Sequence, residues 1–497
     1  MKNQLLLLSL LLTFNLLSAQ HQCGVRHGDD TAIKARMMRN RSTINAPEFR
    51  NTVYVPVTIH LIGSSGGGGA HKPEVAIEML CKLNEDFADQ NVFFFLNGNV
   101  RFLYDDYLHS DSYDWGVMNA MGNAKVPNTL NIFVNSNVSQ PVAGYYSPGE
   151  DFVWMGTPYA NGSSTTITHE VGHFLTLPHT FYGWEGINAP SLYSMSPAPA
   201  DINGYPVENF ARDNCAVAGD GFCDTEADYI SFRYNCPFVT LVQDPTGTVI
   251  TPDPSYFMSY SSDNCMSRFS QEQKDAMRAD ITQRGWLNVP APTNLATISA
   301  DSILALFPSN GALVTPLNSV RFEWDTHGAT AATKWVFNLE RTVLGMPVES
   351  VLYTIVNGQN FINVSASEFL SNRDYRWSVV PYSSAYTCAG KSADFTFRTT
   401  VVSGLENATA DKLKTEVFPN PASNSVQLRI SSDKYSKSRL RIISADGRSV
   451  LDNNSFEIEA GQNTYQLDIS SFAPGFYTLQ VLTESGVVTE KLVVESK

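Results

Sequence analysis

The stretch His169-Glu170-Val171-Gly172-His173-Phe174-Leu175-Thr176-Leu177-Pro178-His179 constrains this chain more than any other. On a helix, His169 and His173 lie four residues apart and project from one face, so two imidazoles reach a single metal ion. Glu170 is placed to meet a water in the remaining coordination position and to act as general base. Pro178 cannot continue a helix, so the chain is expected to turn beyond Leu175 and return His179 as a third nitrogen ligand. Three of the nine histidines fall in this window, which favours a zinc site over scattered core or surface histidines.

The window resembles the metzincin signature H-E-x-x-H-x-x-G-x-x-H, which a Met-turn follows later in the chain. Tyr256-Phe257-Met258-Ser259-Tyr260 is the Met-turn candidate. The flanking His179-Thr180-Phe181-Tyr182-Gly183-Trp184-Glu185 and Phe269-Ser270-Gln271-Glu272-Gln273 are similar to the pappalysin family in particular, and the resemblance runs from Arg50 to Trp286. Thr176 departs from it. The family usually has glycine there, the residue that makes the tight turn most easily, so threonine raises the question of backbone strain and of where His179 sits.

The resemblance implies an α+β metzincin catalytic domain, a twisted mixed sheet with an active-site helix and a backing helix. It implies zinc on His169, His173 and His179, with Glu170 as base and Met258 as a hydrophobic floor below the metal. Tyr260 would donate to the oxyanion that develops during turnover. The segment Gly219-Asp220-Gly221-Phe222-Cys223-Asp224-Thr225-Glu226 resembles the Gly-Asp-x-x-x-Asp-Thr segment of pappalysins, which supplies calcium ligands. Here that points to Asp220 and Thr225, with the Cys223 carbonyl, and clustered oxygens suit calcium. Without the resemblance the segment reads as an acidic turn.

The chain has 497 residues, enough for three or four domains. Hydrophobic residues at 43% and charged residues at 17% fit folded protein rather than long disorder. A net charge of -15 argues against nucleic acid as a partner and suits calcium. Lys2, an apolar run from Leu5 to Leu17 and then Leu17-Ser18-Ala19 read as a secretory signal over 1–19. That run is too short for a membrane span, no other stretch approaches one, and a soluble mature product is expected. Gln20-His21-Gln22 before Cys23 is a poor lipoprotein site, so no lipid anchor is expected there.

Seven cysteines in an exported chain cannot all pair within it. Cys215, Cys223, Cys236 and Cys265 can form two disulfides with three connectivities, and the pappalysin resemblance favours Cys236 with Cys265. Cys81 and Cys388 read as small buried hydrophobes. Cys23-Gly24-Val25-Arg26-His27 opens a pro-segment over 20–45. In related latent metalloproteases a pro-segment cysteine takes the zinc position that the catalytic water needs; a latency switch and a structural cysteine are both open for Cys23. Lys34, Arg36, Arg39 and Arg41 read as an exposed basic stretch suited to trypsin-like cleavage.

The catalytic domain, 46–289, opens with a strand from Val53 to Ile62. The glycine run Gly63 to Gly69 lacks the Gly-Lys-Ser/Thr ending of a phosphate loop and reads as a flexible connection. Ala76, Met79, Leu80, Leu83 and Phe87 recur at helical spacing in a core-facing helix from Glu74 to Asp89. Val92 to Leu96, Val100 to Tyr104, Leu130 to Val134 and Asp151 to Met155 read as strands. For the last of these, an edge strand that pairs with extended substrate and an ordinary sheet strand are both open. The chain is loop-rich up to Pro254, and Gln271 to Gln283 closes the domain as a helix. Asp263 beside the Met-turn either favours basic residues after the scissile bond or is simply a solvated charge.

Pro290-Ala291-Pro292 marks a boundary. Alternating strands over 290–400 resemble a fibronectin type III or immunoglobulin-like sandwich. A polar linker, 401–414, leads to a β-rich module over 415–497. Val417-Phe418-Pro419-Asn420-Pro421, Ser444-Ala445-Asp446-Gly447-Arg448, Leu467-Asp468-Ile469, Pro474-Gly475-Phe476-Tyr477 and Lys491-Leu492-Val493-Val494 together resemble the C-terminal sorting domain of type IX secretion in Gram-negative bacteria. The product is then expected outside the cell, released or surface-attached.

The expectation is a secreted zinc endopeptidase, made as a latent precursor and acting on proteins or peptides. Two alternatives stand beside it. One is a surface binding protein of the same fold without useful turnover, which the β-rich half and Thr176 both permit. The other is a zinc hydrolase of non-peptide amides, which the Met-turn context disfavours.

Overall fold

In the computed structural model the described residues are 22–24, 28–43, 51–136, 138–139, 142–400, 413–432, 434–444, 449–483 and 486–495. The leader, residues 25–27 and 44–50, most of the 401–414 linker and the turn Ala445 to Arg448 lie outside them.

The N-terminal half runs β1 (Gln22–Cys23), α1 (Asp29–Thr43), β2 (Val53–Gly63), α2 (Pro73–Asp86), β3 (Val92–Leu96), β4 (Arg101–Tyr104), α3 (Trp115–Asn123), β5 (Leu130–Asn135), β6 (Val142–Ser147), β7 (Phe152–Gly156), α4 (Thr166–Phe174), α5 (Ala189–Ser194), β8 (Asp201–Ile202), β9 (Tyr205–Pro206) and α6 (Gln271–Gln283). Seven strands make one mixed sheet in the order β1-β6-β7-β5-β2-β3, with β4 also paired to β2. β2 is buried along nearly all of its length, as its unbroken apolar run requires of a central strand covered on both faces. Pro73 starts α2 without losing a needed hydrogen bond, and Ala76, Ile77, Met79, Leu80 and Leu83 are buried on it. α6 begins with a capping box between Ser270 and Gln273.

β7, the Asp151 to Met155 stretch, lies between β5 and β6, so it is an interior strand. Beyond it, β6 runs antiparallel to β7, and its outer side takes β1 in parallel, with Gln22 opposite Val142 and Cys23 opposite Gly144. Open backbone groups on β6 are what β1 satisfies.

The basic stretch at Lys34 to Arg41 is helix α1, docked on the body: Arg39 and Arg41 are exposed, as its charges suggest, whereas Lys34 and Arg36 are partly buried. Ile33 and Met37 are fully buried in the main core. Arg36 donates to the carbonyls of His173 (3.3 Å) and Phe174 (2.7 Å) at the end of α4, and ion-pairs with Asp280 at 3.3 Å. A guanidinium satisfies helix-end carbonyls and opposes their negative dipole, which is why a charged residue sits there half-buried. Arg41 pairs with Glu272 at 2.9 Å.

The middle region has β10 (Ala305–Phe307), β11 (Ala312–Val314), β12 (Ser319–Trp324), β13 (Lys334–Val343), β14 (Met346–Asn357), β15 (Phe361–Ser365), β16 (Asp374–Tyr382) and β17 (Phe395–Thr399). They form a three-stranded sheet, β10-β12-β15, and a five-stranded sheet, β11-β17-β16-β13-β14, packed around Trp324, Phe337 and Trp377 as a sandwich. It is joined firmly to the N-terminal half. Val336, Val380 and Tyr382 belong to the main core rather than to that of the sandwich. Lys72 pairs with Glu340 at 2.9 Å, and Tyr353 donates to the Ala70 carbonyl at 3.0 Å.

Cys81 and Cys388 are not small buried hydrophobes. They form a disulfide between α2 and the sandwich across 307 residues, and Cys388 is exposed. Cys215 pairs with Cys223, and Cys236 with Cys265. The last module is a second small sandwich of strands β18 (Lys414–Phe418), β19 (Ser425–Ser432), β20 (Ser436–Ser444), β21 (Ser449–Ile458), β22 (Gly461–Asp468), β23 (Gly475–Thr483) and β24 (Gly486–Val494). Its sheets are β18-β19-β22 and β21-β20-β23-β24. Among the described residues, no helix is long and apolar enough to cross a membrane.

Candidate metal centre

Helix α4 carries His169, Glu170 and His173, all buried. Past Leu175 the chain reverses through Thr176, whose φ of 82° lies in the left-handed region. That is an unfavourable conformation for a β-branched residue. Its hydroxyl donates to the Ile33 carbonyl of α1 at 3.3 Å, and Leu177 N donates to Gly172 O at 2.9 Å. The turn is made despite the threonine, and His179 returns to the other two histidines.

The three Nε2 atoms converge. Nε2 of His173 lies 3.1 Å from that of His169 and 3.2 Å from that of His179. Each Nδ1 faces an oxygen: Phe257 O at 2.6 Å for His169, Leu177 O at 2.7 Å for His173, and Glu185 Oε1 at 3.3 Å for His179. Nδ1 therefore carries the proton, and the three Nε2 lone pairs point to one place. Three neutral imidazoles so placed cannot hydrogen-bond one another through these atoms, so the cluster calls for a cation, a proton or a metal ion. Tetrahedral zinc with bonds of about 2.0–2.1 Å has ligands about 3.3 Å apart, close to these spacings.

Without a metal, burial and charge divide the three imidazoles. Burial, and then the charge of His179, push His169 down to about 3; the same causes put His173 well below its ordinary value. Burial opposes protonation of His179 as well, but Asp30 and Glu185 outweigh it and raise this histidine to about 10. The trio thus holds one positive charge, with two carboxylates behind it. The resemblance included Glu185 in its flanking stretch without a role and did not point to Asp30, which lies 149 positions before His179 where no short-range spacing reveals it.

Glu170 is fully buried beside the cage, and burial raises its carboxyl to about 8. The Cys23 thiol donates to its Oε2 at 3.5 Å. Cys23 Sγ and the three imidazoles have ligand atoms within 4.8 Å of one another. Tyr260 donates to the Cys23 carbonyl at 3.3 Å, and its ring packs near His179 and Phe181. Burial, and then the negative charge around it, put its phenol well above the ordinary value, so it stays a donor. Met258 lies beneath α4: a Cβ on Gly172 would clash with its sulfur, which is why glycine stands there. A cavity of about 30 Å³ opens beside Glu170 and Tyr260, large enough for a water.

Asp263 is not a free charge. Its Oδ1 accepts from Thr165 N at 2.8 Å and Thr165 Oγ1 at 2.7 Å, and its Oδ2 pairs with Arg233 at 3.3 Å. It anchors the residue that starts α4. Asp220 and Thr225 do come together, with Thr225 Oγ1 donating to Asp220 at 3.1 Å. Cys223 uses its sulfur in the bridge to Cys215, and its N–H donates to Glu272 at 3.1 Å.

Residues 416–495 match the family described as the secretion system C-terminal sorting domain. An extracellular metalloprotease of Colletotrichum graminicola is 24% identical over 284 residues, 53% of this chain and 89% of that protein. One from Verticillium alfalfae is 25% identical over 246 residues, 45% of this chain and 74% of that protein. Among solved structures, a promirolysin mutant of Tannerella forsythia is 20% identical, covering 54% of this chain and all of that one, with a TM-score of 0.35. The relatives of its N-terminal half are thus extracellular metalloproteases, and its C-terminal sorting domain directs the chain through type IX secretion to the cell surface or beyond.

Proposed function

We propose that the chain is a zinc-dependent endopeptidase of the pappalysin type, made as a latent precursor, that hydrolyses internal peptide bonds of proteins. The observation that carries this reading is the convergence of three Nε2 lone pairs with a buried carboxylate beside them. His169, His173 and His179 would hold the metal. When bound, zinc would supply Lewis acidity, polarising the scissile carbonyl and lowering the pKa of a water to about 7. Glu170 accepts the proton of the attacking water and delivers it to the leaving amine. Tyr260 donates to the developing oxyanion; in the precursor its hydroxyl already meets a peptide carbonyl, that of Cys23. Asp220 and Thr225 are proposed calcium ligands, with the Cys223 carbonyl.

Latency follows from the same geometry. Cys23 reaches both Glu170 and the histidine cage, and β1 lies along β6 where an extended peptide would pair. A thiolate is a strong zinc ligand, so the segment would exclude water and substrate together. The test is cleavage of casein by the processed chain with and without a zinc chelator, alongside Glu170→Ala. Chelator-sensitive cleavage absent from the variant supports the reading. A folded, zinc-loaded, processed chain that cuts nothing overturns it.

A further inference from the structure

Helix α1 does a second thing, away from the histidines. Lys34 projects from it toward the 219–223 loop, and its Nζ donates to Gly219 O at 2.5 Å. The carboxylates that act on this ammonium include those of Asp220 and Glu208. Asp220 is fully buried. Glu208 is 2% exposed, and neither of its carboxylate oxygens has a hydrogen-bond partner. Gly219 and Gly221 both have positive φ, and a Cβ on Gly219 would lie 2.5 Å from Glu208 Oε2. A Cβ on Gly221 would lie 3.5 Å from Lys34 Cε. The loop is therefore shaped around a cation, and the cation it faces is a lysine side chain from the segment read as a pro-segment.

An unpartnered, buried carboxyl is costly to ionise unless positive charge meets it. We infer that Lys34 stands in for a divalent, oxygen-seeking cation at Glu208 and Asp220, so that cation binding and docking of α1 exclude each other. This rests on the calcium reading above and extends it in two ways: Glu208 becomes a ligand, and the site becomes a gate on release of the pro-segment. By linkage, a cation that binds better when Lys34 is withdrawn must itself weaken the docking of α1 by the same factor. Calcium is the hard cation that such oxygen donors suit. Because the export signal sends the chain outside the cell, the exchange would report arrival where calcium is plentiful.

The test uses the full uncleaved chain and calcium itself, with binding read by competition against a chromophoric chelator. Lys34→Met keeps the alkyl stem and removes the charge; Lys34→Arg keeps the charge and controls for folding. Lys34→Met is expected to bind calcium at least about tenfold more tightly than the parent, within the usual range of coupling between sites. Lys34→Arg should not, and adding Glu208→Gln to Lys34→Met should abolish the gain. Equal affinity in the parent and Lys34→Met, with binding still lost in Glu208→Gln, overturns the competition and leaves the site. Absence of calcium binding in all of them removes the calcium reading itself.

Discussion

Replacing Met37 by alanine should loosen the whole N-terminal segment, and the size of the effect can be worked out. Met37 is fully buried in the main core, and its Cε lies 3.3 Å from where a Cβ of Gly221 would be. Truncating a buried methionine to alanine costs about 2–5 kcal/mol, the lost transfer energy plus the cavity left behind. Taking about 3 kcal/mol, the population with α1 detached rises by roughly 100- to 200-fold. Cys23 reports this directly. It is in no disulfide, whereas the other six cysteines are paired, so a small thiol reagent applied to the zinc-free full chain labels it selectively. If β1 and α1 lift as one unit, Met37→Ala should be labelled roughly 100-fold faster than the parent. Met38→Ala, at a neighbouring position 41% exposed, should match the parent. Equal labelling of Met37→Ala and Met38→Ala would refute the reasoning, because Cys23 would then open by fraying of β1 alone.

Three further outcomes are expected. Thr176→Gly relieves about 1–2 kcal/mol of left-handed strain but forfeits the hydrogen bond to Ile33 O, so the full chain's melting temperature should change little and that of a chain begun at residue 46 should rise. A chain begun at residue 46 that melts lower with glycine contradicts the strain argument. Burial, and then Asp220, raise Glu208 to about 9, so the folded state keeps a proton that the unfolded chain releases near 4.5. Stability of the calcium-free chain should therefore fall as pH rises between those values, and urea titrations of Glu208→Gln should show a shallower fall. Replacing Cys81 and Cys388 by alanine removes a cross-link over 307 residues. A lower denaturation midpoint is expected, by about 2–5 kcal/mol in stability, and an unchanged one would mean the shared core alone fixes the junction.

The convergence of the three histidines was legible in the sequence because its chemistry is local. Two histidines four apart on a helix and a third beyond a forced turn occupy eleven positions, and the only surprise there is that Thr176 makes the turn by adopting a φ of 82°. The helix from Gln271 to Gln283 was legible for the same reason, its capping residues lying inside the stretch. What escaped depends on distant partners. The charges of α1 suggested solvent because nothing nearby reveals that Arg36 meets helix-end carbonyls 137 and 138 positions on. Cys81 and Cys388 looked like separate core residues because their pairing is set by how the sandwich docks. β7 passed as a candidate edge because strand order within a sheet is not written in any one strand. Glu208 carries no motif at all, and only its burial without a partner draws attention to it.

Val336, Val380 and Tyr382 bear on the order in which the molecule is made. They complete the core of the N-terminal half from strands that come after the boundary at Pro290, and Cys388 bolts the wall in place later still. A chain emerging from its N-terminus has every histidine of the centre by position 179, yet its core stays open on one side until residues near 382 follow. At ordinary rates of synthesis, adding residues 290–388 takes about 5–20 s. During that interval the half that carries the histidines is unfinished inside the cell that makes it, a delay built into chain order and independent of the thiol at Cys23.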